Sequence, residues 1–301
     1  MVRSQSEVGL EGAARPQRLV FGEVAELYDK ARPSYPPALV DHLMALATQT
    51  DCEAAEAAEA GGVAAPGARV LDVGCGTGKA RNAPAGARVL DVGCGTGKAA
   101  VLLAARGLAG IGVEPDSDMA SVARRNLAPY PSWSVEAVEF EAFSQGMGTY
   151  DLITCGQAWH WLDPVTRYSH AARLLRPGGW LALFWNRATA DDSALGHAMD
   201  QVYAATFRKA SNQGQRVVGR PDAGEPAPGD GFEPTGWQVF PWVARYTTAQ
   251  VLELVQTHSD HRLLSPGDRQ NLLDRLAEII DAHGSVFDHP YECWLWTGRR
   301  Q

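Results

Sequence analysis

Apolar and polar positions follow two alternating periods from residue 86 to the end of the chain. Short apolar runs, typical of strands buried on both faces, are separated by stretches whose apolar residues recur every three or four positions, as in helices. The predicted strands are 89–92, 111–115, 132–138, 150–156, 180–186, 236–247 and 291–299. The predicted helices are 35–49, 98–106, 116–126, 164–177, 247–258 and 266–283.

The order of these elements predicts the fold class. Strands that alternate with helices of this length are typical of an α/β protein, in which helices cover both faces of a largely parallel sheet. Asp116 or Ser117 is a suitable N-cap for the helix that follows it. The Pro-Gly-Gly sequence at 177–179 is predicted to end the helix 164–177.

Domain organisation follows from local composition. We expect a flexible tail over residues 1–20 and a single domain over residues 21–301. Residues 51–66 are mostly Ala, Glu and Gly, and predict a helix end that continues into an Ala-rich linker over 51–85. Residues 211–235 are rich in Gly, Pro and Asp and predict a surface loop.

One 14-residue segment, GARVLDVGCGTGKA, occurs twice without change, at 67–80 and at 86–99. Two copies are too few for a solenoid, so we interpret them as a tandem duplication, whether natural, engineered or arising from sequence assembly, with one redundant copy. The helix-forming sequence KAAVLLAAR follows the glycines of the second copy, whereas Pro84 and Gly86 oppose a helix after the first. We predict that the second copy builds the site and that the first is an exposed excursion.

Composition and charge exclude several classes of protein. A chain of 301 residues, 45% hydrophobic and with a formal net charge of −8, is globular and argues against nucleic-acid binding, although a local basic groove is compatible with that average. No apolar run reaches the roughly 18 residues of a membrane span, and the first 20 residues lack a signal-peptide core. The five cysteines form no CxxC pair, and the histidines show no metal-ligand spacing. We therefore expect a cytoplasmic protein with neither metal nor membrane nor nucleic-acid partner.

The sequence VLDVGCGTG places an acidic residue and alternate glycines at a predicted strand-to-helix turn. A phosphate-binding loop of the form GxxxxGK[ST] does not fit, because Val92 and Ala99 occupy two of its defining positions. A dinucleotide fingerprint GxGxxG does not fit either, because Lys98 stands where the third glycine belongs. An acidic loop favours a cationic ligand, and S-adenosylmethionine carries a sulfonium and an ammonium group.

A second carboxylate stands at the end of the next predicted strand. Glu114 follows Gly97 by 17 residues, which is the length of one helix, a turn and a strand. A carboxylate in that position can accept hydrogen bonds from both ribose hydroxyls of a nucleoside. Loop and carboxylate together predict an S-adenosylmethionine site.

Four segments, taken in this order, resemble class I S-adenosylmethionine-dependent methyltransferases: VLDVGCGTGK, VEPDSDM, YDLITCGQAWHWLDP and LLRPGGWLALFWN. The N-terminal sequence FGEVAELYDKARPSYP (21–36) is similar to the type 11 group, which includes trans-aconitate methyltransferase-like proteins. The resemblance implies a Rossmann-like, seven-stranded, mostly parallel sheet with helices on both faces and an antiparallel last strand.

The same resemblance implies a set of cofactor-binding residues. The glycine loop would line the methionine and ribose portion of S-adenosylmethionine, Glu114 would hold the ribose hydroxyls, and Phe140 would contribute its backbone or its ring. Glu141 is implied as well, although the residue before it, Phe140, is not the small residue that precedes Glu in the family. The residues implied for the cofactor are Asp91, Gly93, Cys94, Gly95, Gly97, Glu114, Pro115, Met119, Phe140, Glu141 and Gln157.

Polar and aromatic residues after the later strands are candidates for the acceptor side. His160 is the candidate general base, or it orients a carboxylate, unless it only caps the local backbone. Trp159 and Trp161 either form cleft walls or belong to the core, and Trp185 and Asn186 end a strand near the cleft.

The N-terminal stretch before the first helix supplies three more candidates, Tyr28, Arg32 and Tyr35. They predict either a lid in which Arg32 binds an anionic substrate, or a packed arm with a solvated arginine. We expect an enzyme that methylates an oxygen of a small molecule, a carboxylate or a hydroxyl. The alternatives are an RNA or protein methyltransferase, or a cofactor-binding protein that the duplication has impaired.

Overall fold

The computed structural model describes residues 25–59, 87–209, 220–221, 224, 230–258, 261 and 264–301. Within them, the helices are α1 (Ala25–Ala31), α2 (Pro37–Glu59), α3 (Lys98–Ala105), α4 (Ser117–Leu127), α5 (Arg167–Leu174), α6 (Ala194–Lys209), α7 (Thr248–Gln256) and α8 (Pro266–Ala282). The strands are β1 (Arg88–Val92), β2 (Ala109–Val113), β3 (Trp133–Glu136), β4 (Tyr150–Gly156), β5 (Leu175–Ala188), β6 (Phe232–Thr247) and β7 (Val286–Arg300). Short 3₁₀ turns span Phe140–Ala142 and Trp159–Trp161.

The seven strands form one sheet in the order β3-β2-β1-β4-β5-β7-β6. Strands β1 to β5 pair in parallel, and β7 runs antiparallel to both of its neighbours, β5 and β6. This arrangement confirms the predicted α/β fold with an antiparallel last strand. Because β1 lies between β2 and β4, the carboxyl ends of three adjacent strands meet at one edge of the sheet.

Apolar clusters cover both faces of the sheet. On one face, α2 and α3 pack Leu39, Leu43 and Leu103 against strand residues such as Leu152 and Phe184. On the other face, α5 and the turn at Trp159 cover a second cluster. A third cluster joins α6, α7 and α8 to the beginning of β7, and it extends the molecule beyond the carboxyl edge of the central strands.

The helix ends are fixed by local side chains. The Asp116 carboxylate accepts hydrogen bonds from the backbone N–H groups of Asp118 and Met119, so the expected cap of α4 is confirmed. A capping box between Thr247 and Gln250 begins α7. These caps satisfy backbone N–H groups in the first turns of α4 and α7 and so fix where the two helices begin.

Some predicted boundaries are wrong, whereas the helix end predicted after residue 50 is confirmed as far as Glu59. The helix predicted over 164–177 is confined to α5, because Leu175 pairs with Tyr150 and so begins β5; the Pro-Gly-Gly sequence lies inside that strand, beside a register shift. Residues 232–235, predicted as loop, belong to β6, where they pair with the end of β7.

Other sequence predictions lie outside the described residues. They are the tail 1–20, the linker after residue 59 with the first copy at 67–80, and most of the loop 211–235. The second copy forms β1, the glycine turn and the start of α3, as predicted. The assignment of 21–301 to one domain stays a prediction.

Candidate active site

A cavity of about 1730 Å³ opens at the carboxyl edge of the central strands. Ligands of open α/β sheets bind at this edge. The volume exceeds the roughly 300–1,000 Å³ of a typical single-ligand pocket, so the cavity has room for a cofactor and an acceptor together. We call one end the loop compartment; its lining includes Asp91, Gly93, Gly95, Cys94, Glu114, Pro115, Met119, Glu141 and Gln157. We call the other end the ring chamber; its lining includes Tyr203, Phe207, His258, His261, His289 and Tyr291.

The glycine loop brings backbone to the floor of the loop compartment. Gly93 and Gly95 have φ values of 61° and 57°, which favour glycine. A Cβ atom on Gly93 would lie 2.5 Å from the Cβ of Ala158, and one on Gly95 would lie 3.5 Å from the Cε of Met119. The loop therefore depends on glycine both for its conformation and for the space above it.

Glu114 contributes a buried carboxylate to the same compartment. Its side chain is held by two backbone donors: Oε2 accepts from the Gly95 N–H at 2.9 Å, and Oε1 accepts from the Asp116 N–H at 3.0 Å. Burial raises the pKa of Glu114 to about 7, against the lowering effect of these two hydrogen bonds. The carboxylate is thus fixed in place at the cavity wall, with lone pairs left for a ligand.

Asp91 places a second buried carboxylate at the end of β1. Its Oδ1 accepts from the Thr154 hydroxyl at 2.8 Å, whereas Oδ2 has no hydrogen bond of good geometry among the described residues. Burial raises the pKa of Asp91 to about 7, although the Thr154 hydroxyl and the Ala100 amide lower it. Two buried acids in one compartment favour a cationic ligand, which relieves the cost of ionising them.

Gln157 continues β4 into the cavity with strained backbone. Its φ of 63° is unusual for a residue other than glycine and costs on the order of 1–3 kcal/mol. Its N–H donates to the Phe184 carbonyl, and its side-chain amide donates to the Asn186 carbonyl at 3.2 Å. These bonds direct a polar side chain into the cavity, where such strain is common at functional sites.

The remaining candidate residues of the loop compartment differ in which of their groups face the cavity. Met119 and Pro115 line the cavity beside Glu114, and Glu141 also accepts a hydrogen bond from the Asp163 N–H. Phe140 lines the cavity, but its ring packs in the core with its centroid 4.7 Å from that of His170. Burial raises the pKa of the Cys94 thiol well above its usual value, so this thiol is unreactive.

Three residues predicted for the site lie outside the cavity wall, and the structure corrects their roles. Gly97 caps α3, and a Cβ there would contact Ala123 at 3.4 Å, so its smallness serves helix packing. Trp159 has no exposed surface and packs edge-to-face on Tyr168, at 5.0 Å between ring centroids. Trp185 is buried with its ring 6.0 Å from that of Trp237. Both tryptophans belong to the core.

Helix α1 and the segment after it form one side of the cavity, which Tyr28, Arg32 and Tyr35 all line. Arg32 donates through Nη2 to the Thr257 carbonyl at 2.9 Å, and its Nε is buried without a partner in the part of the chain that the structure describes. The Tyr35 ring meets the edge of Phe184 at 4.8 Å. The arginine is therefore an anchored, partly buried cation rather than a solvated one.

Side-chain contacts fasten α1 to three other helices. Glu26 accepts two hydrogen bonds of 2.7 Å from the Arg125 guanidinium on α4, and Lys30 pairs with Glu253 on α7. Lys98, at the start of α3, donates to the Asp29 carbonyl at 2.5 Å. Helix α1 therefore connects the two ends of the cavity.

His160 lies on the 3₁₀ turn after β4 and lines the cavity. It is accessible from the cavity, yet the surrounding protein lowers its pKa from the usual value, with further lowering by Arg187 and Arg167. His160 is therefore neutral at pH 7 and able to accept a proton. Trp161 beside it also lines the cavity, which favours its interpretation as a cleft wall.

The sequence analysis missed several cavity residues. Arg187 directly follows the predicted strand 180–186. Because that strand was expected to end near the cleft, the next residue could also have been predicted to line the cavity. Lys98 also lines the cavity, although the sequence analysis used it only to reject a dinucleotide fingerprint. The ring-chamber residues come from α6, from the end of α7 and beyond it, and from β7, so no local motif marks them. Among the described residues no cluster of three or more His, Cys, Asp or Glu side chains could hold a metal.

Comparisons with known proteins agree with this geometry. A family model described as a methyltransferase domain matches residues 89–179. Over 273 residues, which cover 90% of both chains, the sequence is 28% identical to an uncharacterized methyltransferase of Mycobacterium tuberculosis. It is 25% identical over 258 residues, 84% of both chains, to an uncharacterized methyltransferase of Schizosaccharomyces pombe.

The fold is also similar to that of a solved structure, a provisionally assigned type II methyltransferase from Anaeromyxobacter dehalogenans. The two chains are 19% identical with a TM-score of 0.61, over 89% of this chain and 97% of the other. Among the helices that the structure describes, none combines the length and the apolar character needed to span a membrane.

Proposed function

We propose that this chain, a methyltransferase by its similarity to known proteins, transfers a methyl group from S-adenosylmethionine to an oxygen of a small-molecule acceptor, a carboxylate or a hydroxyl. The observation that carries the proposal is the continuous cavity, whose lining includes both the loop compartment and the ring chamber. A polymer would need an open, basic surface at this edge, whereas the chain carries a net charge of −8.

The residues of the loop compartment fit the cofactor. The glycine loop exposes its backbone at the floor of the loop compartment, and the buried acids Asp91 and Glu114 favour a cationic ligand. Oδ2 of Asp91 can accept a hydrogen bond from such a ligand. We propose that Glu114 accepts the ribose hydroxyls and that Met119 and Pro115 pack on the adenine. The full proposed set is Asp91, Gly93, Cys94, Gly95, Glu114, Pro115, Met119, Phe140, Glu141 and Gln157.

The protein contributes mainly orientation to the reaction. S-adenosylmethionine supplies a methyl group on a sulfonium, so that an acceptor oxygen forms the O–C bond while the C–S bond breaks and its electron pair passes to sulfur. Holding two reactants in line is worth effective molarities of about 10⁵–10⁸ M. We propose that Gln157, Tyr35 and Trp161 hold the acceptor against the loop compartment.

The need for a base depends on the acceptor. A carboxylate loses no proton on methylation, and His160 then only orients it. A hydroxyl must lose a proton, and neutral His160, whose pKa is lowered by burial and by Arg187, is the group we propose to accept it. The cytoplasmic location expected from the sequence remains part of this proposal.

Labelled S-adenosylmethionine tests the acceptor class. The protein is incubated with cell extract, and the label is then measured separately in small molecules, RNA and protein. We expect the label in the small-molecule fraction, removed by mild base if the acceptor is a carboxylate and retained if it is a hydroxyl. Label confined to RNA or protein would refute the proposal.

Two histidine variants test the role of His160. His160→Ala should depress labelling of a hydroxyl acceptor while leaving cofactor affinity unchanged. His197→Ala, an exposed histidine on α6, is the matched control and should behave as wild type. A loss of cofactor affinity in His160→Ala equal to its loss of turnover would assign His160 a structural role instead.

A further inference from the structure

Rings from α6 and from the residues after α7 form one wall of the ring chamber. The His261 ring is central: it stacks on Tyr203 at 5.6 Å and 21°, and on His258 at 5.0 Å and 27° between ring planes. The Phe207 ring lies 5.3 Å from it. Nδ1 of His261 lies 2.9 Å from the Val255 carbonyl, and this contact fixes the orientation of the ring.

A second set of rings comes from β7. The His289 ring stacks on Tyr291 at 4.4 Å and 29°, and Tyr291 stacks in turn on Trp242 of β6 at 5.2 Å and 23°. Phe287 lies 4.8 Å from His289 on the other side. The two sets of rings give the chamber aromatic walls.

The Arg32 guanidinium lies near these rings, because it binds the carbonyl of Thr257, the residue before His258. Burial lowers the pKa of His258 well below its usual value, and Arg32, His261 and His289 lower it further, so these four side chains form one neighbourhood and His258 is neutral at pH 7. The Arg32 guanidinium sits 5.1 Å from the Tyr28 ring centroid, with Nη2 bound to the Thr257 carbonyl and Nε buried without a partner among the described residues. The chamber thus places the neutral His258 ring near the Arg32 guanidinium, and both residues line the same cavity.

We propose that the acceptor of this methyltransferase is an aromatic carboxylic acid, whose ring packs on the rings of the chamber and whose carboxylate binds Arg32. Aromatic rings gain most from other rings at centroid separations of about 4.5–7 Å, and rings in both walls offer such partners to an aromatic ligand. A charge-assisted hydrogen bond from a buried guanidinium supplies the preference for an acid. The inference rests on the proposed function, since it names the substrate class of the same site.

Three probes of similar size separate the two parts of the inference. Benzoate is flat and charged, cyclohexanecarboxylate is charged but not flat, and benzamide is flat but uncharged. Their affinities are measured by ligand-observed NMR on the full chain saturated with S-adenosylhomocysteine. We expect benzoate to bind about tenfold or more tightly than benzamide, and several-fold more tightly than cyclohexanecarboxylate.

Variants locate the binding site of the probe. Arg32→Gln should remove the preference for benzoate over benzamide, whereas Arg245→Gln, an exposed arginine paired with Asp288, should not. Tyr203→Leu should remove the preference for benzoate over cyclohexanecarboxylate, whereas Tyr130→Leu, which lies outside the cavity, should not. Thermal unfolding of each variant shows that it is folded.

Each outcome decides the inference. Equal affinity for benzoate and cyclohexanecarboxylate, a preference that survives both site variants, or no saturable binding of benzoate would overturn it. If labelled S-adenosylmethionine methylates aliphatic acids and not 4-hydroxybenzoate, the inference fails while the proposed function stands. If label appears only in RNA or protein, the proposed function itself fails.

Discussion

The two ends of the cavity are built in different ways. The loop compartment is made by consecutive strand ends between Asp91 and Gln157, and much of it is backbone. The ring chamber is made by side chains such as Arg32, Tyr203 and His289, which are far apart in the chain. The family model matches 89–179 and so covers the first end but none of these three residues. The reaction class can therefore be read from a local motif, whereas the acceptor depends on tertiary packing.

The largest expected effect comes from filling the glycine loop. Gly93→Val with Gly95→Val should abolish cofactor binding, because both residues have positive φ and a side chain on Gly93 would collide with Ala158. Gly74→Val with Gly76→Val, the matched pair in the first copy, should bind as wild type, because β1 already occupies the place between β2 and β4. Calorimetric titration with S-adenosylmethionine distinguishes the two; loss of binding in the first-copy pair would contradict our assignment.

A smaller effect is expected when Glu114 loses its carboxylate. Each charge-assisted hydrogen bond is worth about 1.5–3 kcal/mol, so Glu114→Ala should weaken S-adenosylmethionine at least about tenfold. Benzoate binding in the ring chamber should change little, which would show that the two ends of the cavity bind their ligands independently. Glu233→Ala, an exposed residue on β6, is the control. Unchanged cofactor affinity in Glu114→Ala would remove this residue from the proposed set.

The smallest effect is on pH dependence, and it has opposite signs for binding and stability. Asp91 and Glu114 each have a pKa of about 7 in the free protein, and a cationic ligand favours their charged forms. Raising the pH from about 7 to about 8 therefore increases cofactor affinity by about twofold for each group. Affinity that falls over this range would contradict the prediction.

The stability of the ligand-free protein changes with pH in the opposite direction to the cofactor affinity. Both pKa values are raised above their unfolded values of 3.8 and 4.5, so the stabilisation from these groups is complete below about pH 4 and is lost as the pH rises through 7. The melting temperature of the ligand-free protein should decline over the range in which affinity improves. Glu114→Gln should flatten both slopes.

Local sequence signals predicted the parts of the fold that depend on neighbouring residues. The Asp116 cap and the helix starting at Lys98 each follow from adjacent side chains, and both are confirmed. The strand predicted over 111–115 is present but lies two residues earlier, at Ala109–Val113. Glu114 was assigned to the cavity wall because its distance from the glycines equals one helix and one strand, and the structure brings it to the Gly95 N–H.

Long-range packing accounts for what the sequence did not predict. Trp159 and Trp161 are indistinguishable by type and neighbourhood, yet the short 3₁₀ turn directs the first into the core and the second into the cavity. Leu175 was assigned to a helix because the signal from its own segment is helical; its partner Tyr150 is 25 residues away in the chain and draws it into the sheet. The ring chamber has the same origin, since its rings meet only after folding.

The ion pairs that attach α1 to its neighbours affect how bound molecules enter and leave the cavity. This helix is part of the cavity wall, and exposed ion pairs with Arg125 and Glu253 fix it to α4 and α7. Such exposed pairs contribute little to stability and weaken as the salt concentration rises. We therefore expect higher ionic strength to shorten the residence time of bound molecules more than it changes the rate of methylation at the sheet edge.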